Sequence, residues 1–82
     1  MNTGIWYIDV DINNKSYIRN DFFADGDKPT LTKRYAFYLL QNLIISNEID
    51  VNEFEHITMT VEIYNQNNGF KMNNTKKTYK LF

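Results

Sequence analysis

Five carboxylates crowd the first third of the chain: Asp9, Asp11, Asp21, Asp25 and Asp27. Residues two apart on a strand share a face, so Asp9 and Asp11 stand together, and Asp21 approaches them if the chain turns back as a hairpin. Adjacent carboxylates offer the oxygen donors that Mg²⁺ takes. A solvated strand face followed by an acidic turn produces the same pattern, and that arrangement, with no metal, is the expectation. A calcium loop opening at Asp21 fails because its third position is Phe23 and its twelfth is Thr32.

Other catalytic chemistry finds little support. His56 is the only histidine, which leaves it without partners for a triad or a histidine metal site, so it reads as a surface or strand-edge residue. Ser16 lacks the glycines of a nucleophile elbow, and Gly4, Gly26 and Gly69 are too far apart to cradle a phosphate. The absence of cysteine excludes disulfides, thiolate nucleophiles, Fe–S clusters and cysteine-based zinc sites. The expectation is no enzyme and no cofactor.

Charge is unevenly placed. Glu48, Asp50, Glu53, Glu55 and Glu62 form an acidic stretch, and Lys71, Lys76, Lys77 and Lys80 a basic tail. Lysines on an edge strand discourage sheet-to-sheet pairing. In a second reading they meet phosphates, with Tyr79 and sheet aromatics stacking on bases. A net charge of −1 places nucleic acid behind protein as a partner.

These side chains need elements to hold them. Trp6, Ile8, Val10 and Ile12 alternate with Ile5, Tyr7, Asp9 and Asp11, the signature of a half-buried strand over 5–12. Asn13-Asn14 suits a turn, and Ser16–Phe23 returns as a second strand, with Ile18 and Phe22 on one face and Tyr17, Arg19, Asp21 and Phe23 on the other. Asp25-Gly26-Asp27-Lys28-Pro29 is the strongest break, and Thr30 or Thr32 can cap a helix running from Leu31 to about Asn47. Ala36, Phe37, Leu39, Leu40, Leu43 and Ile44 fill its apolar arc. Ile49–Glu55 is an acidic connection. His56–Asn65 alternates again, Gln66-Asn67-Asn68-Gly69 turns, and Phe70–Leu81 pairs back, with Asn73-Asn74 marking a bulge or a division into two short strands. The predicted architecture is a single α+β domain over 1–82, β-β-α-β-β, in which two hairpins form one antiparallel sheet under one helix.

Two surfaces stand out as docking candidates. Arg34, Tyr38, Gln41 and Ile45 run i, i+4, i+7, i+11, opposite the apolar arc, and Tyr and Arg are favoured interface anchors. The outer face of the first hairpin, with Ile5, Tyr7, Tyr17, Arg19 and Phe23, is apolar for a face meeting water. Asn, Lys, Ile, Tyr and Phe make up 40 of 82 residues, all with A/T-rich codons, a composition common among phages and mobile elements of low-GC bacteria. The longest apolar run, Tyr35–Leu40, is far short of the ~20 residues that span a bilayer, and the opening residues lack the pattern of a secretion signal. The functional expectation is a small cytoplasmic, non-catalytic accessory or inhibitor protein that binds a host protein and pairs as a homodimer. A nucleic-acid-binding module and a structural homo-oligomer are the alternatives.

Overall fold

The computed structural model describes residues 3–82, without the side chains of Thr3 and Phe23. Strands β1 (Thr3–Ile12) and β2 (Lys15–Asp27) form one hairpin, helix α1 (Lys33–Ile45) follows, and β3 (Thr58–Asn67) and β4 (Phe70–Lys80) form the second hairpin. The antiparallel sheet has the order β2-β1-β3-β4, so the hairpins join through their first strands, from Tyr7 opposite Tyr64 to Ile12 opposite Met59. This is the predicted β-β-α-β-β arrangement, with the helix on one face.

Local chemistry explains the elements. Asn13 and Asn14 take φ of 50° and 68°, and Asn68 and Gly69 take 52° and 82°. Two successive positive φ values make the turn whose twist matches a two-residue hairpin, and Asn and Gly tolerate them best. Thr32 caps α1, its hydroxyl accepting the Tyr35 amide at 3.1 Å. At the far end Asn47 enters the left-handed region, and the Asn47 and Glu48 amides bond back to the Ile44 and Leu43 carbonyls. That pair of bonds satisfies carbonyls the helix would otherwise orphan. The connection after it holds a 3₁₀ turn, Val51–Glu53, capped by the Asp50 carboxylate.

The core lies between sheet and helix. β1 contributes Trp6, Ile8, Val10 and Ile12, the second hairpin Ile57, Met59, Val61 and Ile63, and α1 Ala36, Leu39, Leu40 and Leu43. The Trp6 indole N–H donates to the Gly26 carbonyl at 2.9 Å, so the one polar atom of the largest core side chain is satisfied.

The structure corrects several local expectations. α1 is shorter than Leu31–Asn47, and Phe37, placed in its buried arc, is 40% exposed because it lies at the arc's margin, beyond the reach of the sheet. β2 does not stop at Phe23; its ladder runs on until Gly26 faces Gly4 and Asp27 faces Thr3, with Gly26 at a φ of 107°. A glycine accepts that backbone without strain, so the break begins only at Lys28-Pro29. Register shifts in the β1–β2 ladder, between Trp6 and Tyr7, Ile8 and Val10, and Val10 and Asp11, reset the alternation along β2. Each extra residue moves the following side chains to the other face. Tyr17 therefore packs against the core, and Phe22, opposite Tyr7, turns outward at 61% exposed. In β4 the bulge alternative holds: the register shifts between Ile63 and Asn65, and Asn73 sits at a φ of 52°.

Ile63, fully buried on a central strand, offers a direct test of the core. Ile63→Ala should lower unfolding stability by about 2–5 kcal/mol, through lost transfer energy and the cavity left behind. Urea unfolding followed by circular dichroism should show an earlier midpoint at an unchanged slope.

Candidate functional site

The sheet face away from α1 carries a polar cleft of about 350 Å³, lined by Asp9, Asp11, Arg19, Asn20, Thr60, Glu62, Lys71 and Lys76. Every strand contributes to it. Asp9 and Glu62 are direct cross-strand partners of β1 and β3, and both are buried, at 3% and 8% exposed. Like charges facing one another across a ladder repel. Lys71 resolves this by reaching in from β4, its Nζ 2.8 Å from Asp9 Oδ2 and 2.6 Å from Glu62 Oε1.

The remaining lone pairs are also occupied. Asp9 Oδ1 accepts the Tyr64 hydroxyl and the Asn20 amide, both at 2.8 Å, while Arg19 lies 3.2 Å from Asp9 and 2.7 Å from Asp11. Glu62 also accepts from the Asn74 side chain at 3.0 Å. The Tyr64 hydroxyl touches the Asn20 side-chain oxygen, which accepts in turn from Gln66 at 2.7 Å. The Lys71 ammonium sits 4.7 Å from the Tyr64 ring centroid, and the Tyr7 ring stacks with that of Tyr64 at 6.0 Å. Among the described residues, no buried side-chain nitrogen or oxygen lacks a partner.

The electrostatics follow. Burial pushes the Asp9 carboxyl up, but hydrogen bonds from Asn20, Lys71 and Tyr64 outweigh it and hold the group below its ordinary 3.8. Burial likewise raises Glu62, and Lys71, Asn74 and the charge of Lys76 bring it below 4.5. Burial, with the hydrogen bond to Asp9, pushes the Tyr64 hydroxyl up to about 12. The bonds to Asp9 and Glu62 hold Lys71 firmly protonated. A general acid or base is poised near neutral pH; these groups are driven away from it. The arrangement is a neutralised lock that joins the two hairpins.

The predicted site residues are dispersed. Asp21 faces Ile8 in the ladder and so belongs to the opposite face from Asp9 and Asp11, which corrects the expected approach of the three. No group of three or more acidic, histidine or cysteine side chains that could hold a metal occurs among the described residues. Tyr7 and Arg19 belong to the polar face, Tyr17 to the core side, and the Phe23 side chain lies outside the described residues. The basic tail divides as well. Lys71 is committed to the lock, Lys76 and Lys80 are opposite Glu62 and Thr58, and Lys77 and Tyr79 are opposite Val61 and Met59, on the helix side. Tyr79 packs against the core.

The helix stripe, by contrast, is one surface. Arg34 and Gln41 are exposed with Tyr38 at 55% and Ile45 at 70%, and Phe37 extends the stripe. Tyr38 and Arg34 border an open hollow of about 420 Å³ with Thr30, Thr32 and Tyr35, and the Tyr35 and Tyr38 rings stack at 5.9 Å. Glu62, Tyr64, Asn20 and Asn74 escaped the sequence reading as site residues. For Glu62 and Tyr64 the one sequence signal is their place on the alternate face of β3, which gives no register, and Asn20 on β2 and Asn74 on β4 carry none.

Removing the central cation tests the lock. Lys71→Met should destabilise the fold at pH 7 by about 1–3 kcal/mol, below the value for a fully buried pair because the Lys71 side chain is 44% exposed. Carboxylates with lowered pKa values stabilise above their ordinary values and lose that contribution as pH falls through the folded ones. The gap between wild type and Lys71→Met should therefore narrow toward pH 3 in urea titrations. Tyr64 works in the other direction, its contribution being present below pH 10 and lost as pH rises toward about 12.

No protein-family model matches the chain, and neither a curated protein nor a solved structure is significantly similar to it.

Proposed function

We propose that the chain is a non-catalytic accessory domain that acts by protein–protein contact, with the outer face of α1 as its docking surface. The observation that carries this reading is the exposure of Phe37, Tyr38 and Ile45 in one stripe with Arg34 and Gln41. An apolar and aromatic stripe flanked by Arg is the composition that dominates interface energetics. The polar cleft supports the same reading from the other side, since its buried acids, Asp9 and Glu62, are paired within the chain. In the accessory or inhibitor setting suggested by the A/T-rich composition, of phage or mobile-element type, such contact serves to occlude a host protein. The lysines and Tyr79 are spread over two faces of β4, which favours protein over nucleic acid as the partner.

Capture experiments with the tagged chain test this reading. Protein recovery should survive nuclease treatment, persist in a Lys76→Glu, Lys77→Glu variant, and fall at least tenfold in a Tyr38→Glu, Ile45→Glu variant whose circular dichroism is unchanged. Recovery that disappears with nuclease, or that ignores the helix substitutions, would overturn it.

A further inference from the structure

We infer that the outer face of α1 seats a second copy of the chain, the two helices packing antiparallel about a two-fold axis at Gln41. This inference rests on the reading of that face as a docking surface and concerns the free chain: the second copy covers the face until a host protein displaces it.

The first argument is spacing. Within α1, Arg34, Phe37 and Tyr38 precede Gln41 by seven, four and three residues and Ile44 and Ile45 follow it by three and four, while Glu48 lies just past the helix end, after Asn47 in the left-handed region. A two-fold interface uses the same patch on both subunits, so residue i meets j and j meets i. Centred on Gln41, that symmetry sets Phe37 of one copy beside Ile44 of the other, on one flank of the face, and Tyr38 beside Ile45 on the other flank. It sets Arg34 against Glu48, and Gln41 against its own image, where two amides can exchange hydrogen bonds. The apolar members are available: Phe37, Tyr38 and Ile45 are exposed, and Ile44 is partly so.

The second argument is charge. A helix favours anions at its N-terminus and cations at its C-terminus. α1 has the reverse. Lys33 and Arg34 open it, its first turn holds no acid and its last turn no base, and Glu48 and Asp50 follow its end. Among the described residues no carboxylate pairs with Arg34 or Lys33. Within one chain this is an unfavourable layout. Antiparallel pairing brings the basic end of each helix to the acidic end of the other and also opposes the two helix dipoles. Ser46 donates to Glu48 at 2.8 Å, holding that carboxylate at the helix end where the partner's arginine would arrive.

Arg34 and the last helical residue, Ile45, are about 16 Å apart along the axis at 1.5 Å per residue, and Glu48 follows that end of α1, so the two charges of one chain are separated by well over the ~8 Å screening length at physiological salt. Coupling between them can arise only across an interface. Sedimentation velocity should show a dimer at roughly 100 µM, since a small interface implies micromolar affinity. Arg34→Glu and Glu48→Arg should each weaken the dimer roughly tenfold, because two symmetric contacts change at once. The double variant should recover wild-type association. Thermal unfolding at a concentration low enough for the chain to be monomeric controls for folding, and there neither single change should lower Tm, because each improves the match to the helix dipole. A chain monomeric at that concentration, or a dimer indifferent to both single changes, would overturn the inference. If such a monomer still lost protein capture on Tyr38→Glu, Ile45→Glu substitution, the docking face would stand with a different protein on it. A double variant as weak as the singles would also overturn the antiparallel pairing.

Discussion

Two carboxylates stand directly opposite each other at the junction of the two hairpins, and the sheet depends on what is placed between them. Asp9 on β1 faces Glu62 on β3, both largely out of water. Unpaired, they would push apart the one ladder that joins the hairpins. Lys71 from β4 binds both, and Arg19 and Asn20 from β2 complete the coordination of Asp9. All four strands thus converge on one acid. An acid so coordinated fixes strand order and register as well as contributing energy, because a slip of one residue would strand a buried charge.

One sheet face is filled by the apolar core and α1. The other carries the network of Asp9, Glu62 and Lys71, in which every buried side-chain polar atom has a partner, and a satisfied network rigidifies the strands that bear it. The apolar groups left for another molecule are those the core does not use. Among the described residues, Phe37, Tyr38 and Ile45 lie on the outer face of α1, Ile5, Phe22, Phe70 and Met72 on the strands toward the far end of the sheet, and Phe82 follows β4. The helix stripe differs from that second group in being continuous along a rigid element, with arginine and glutamine interspersed. A continuous stripe on a packed helix presents its anchors at little entropic cost.

Legibility from sequence followed the range of the interactions concerned. The strand over 5–12, the alternation after His56, the helix, its threonine cap and its asparagine terminator depend on neighbours within a few residues, and all were readable. The asparagine turns were readable because positive φ selects Asn and Gly. Tyr17, Phe22 and the continuation of β2 through Gly26 were misplaced because bulges reset the two-residue alternation, and a bulge is specified by the partner strand as much as by its own residues. Phe37 was misplaced because helical periodicity gives an angle, while the extent of the opposing sheet sets where burial stops.

The candidate site divides along the same line. The stripe of Arg34, Tyr38, Gln41 and Ile45 was visible at once, since helical spacing alone places those residues together. The lock was not, because Asp9 and Glu62 are remote in the chain and Lys71 more so, and nothing local to any of them signals burial. By itself the sequence determined the element types, the turns, the lack of cysteine chemistry and the amphipathic faces, all consequences of backbone preference and periodicity. Only the tertiary structure decided which acids were buried, which lysine neutralised them and which faces of β2 and β4 turned inward, because these follow from cross-strand register between hairpins.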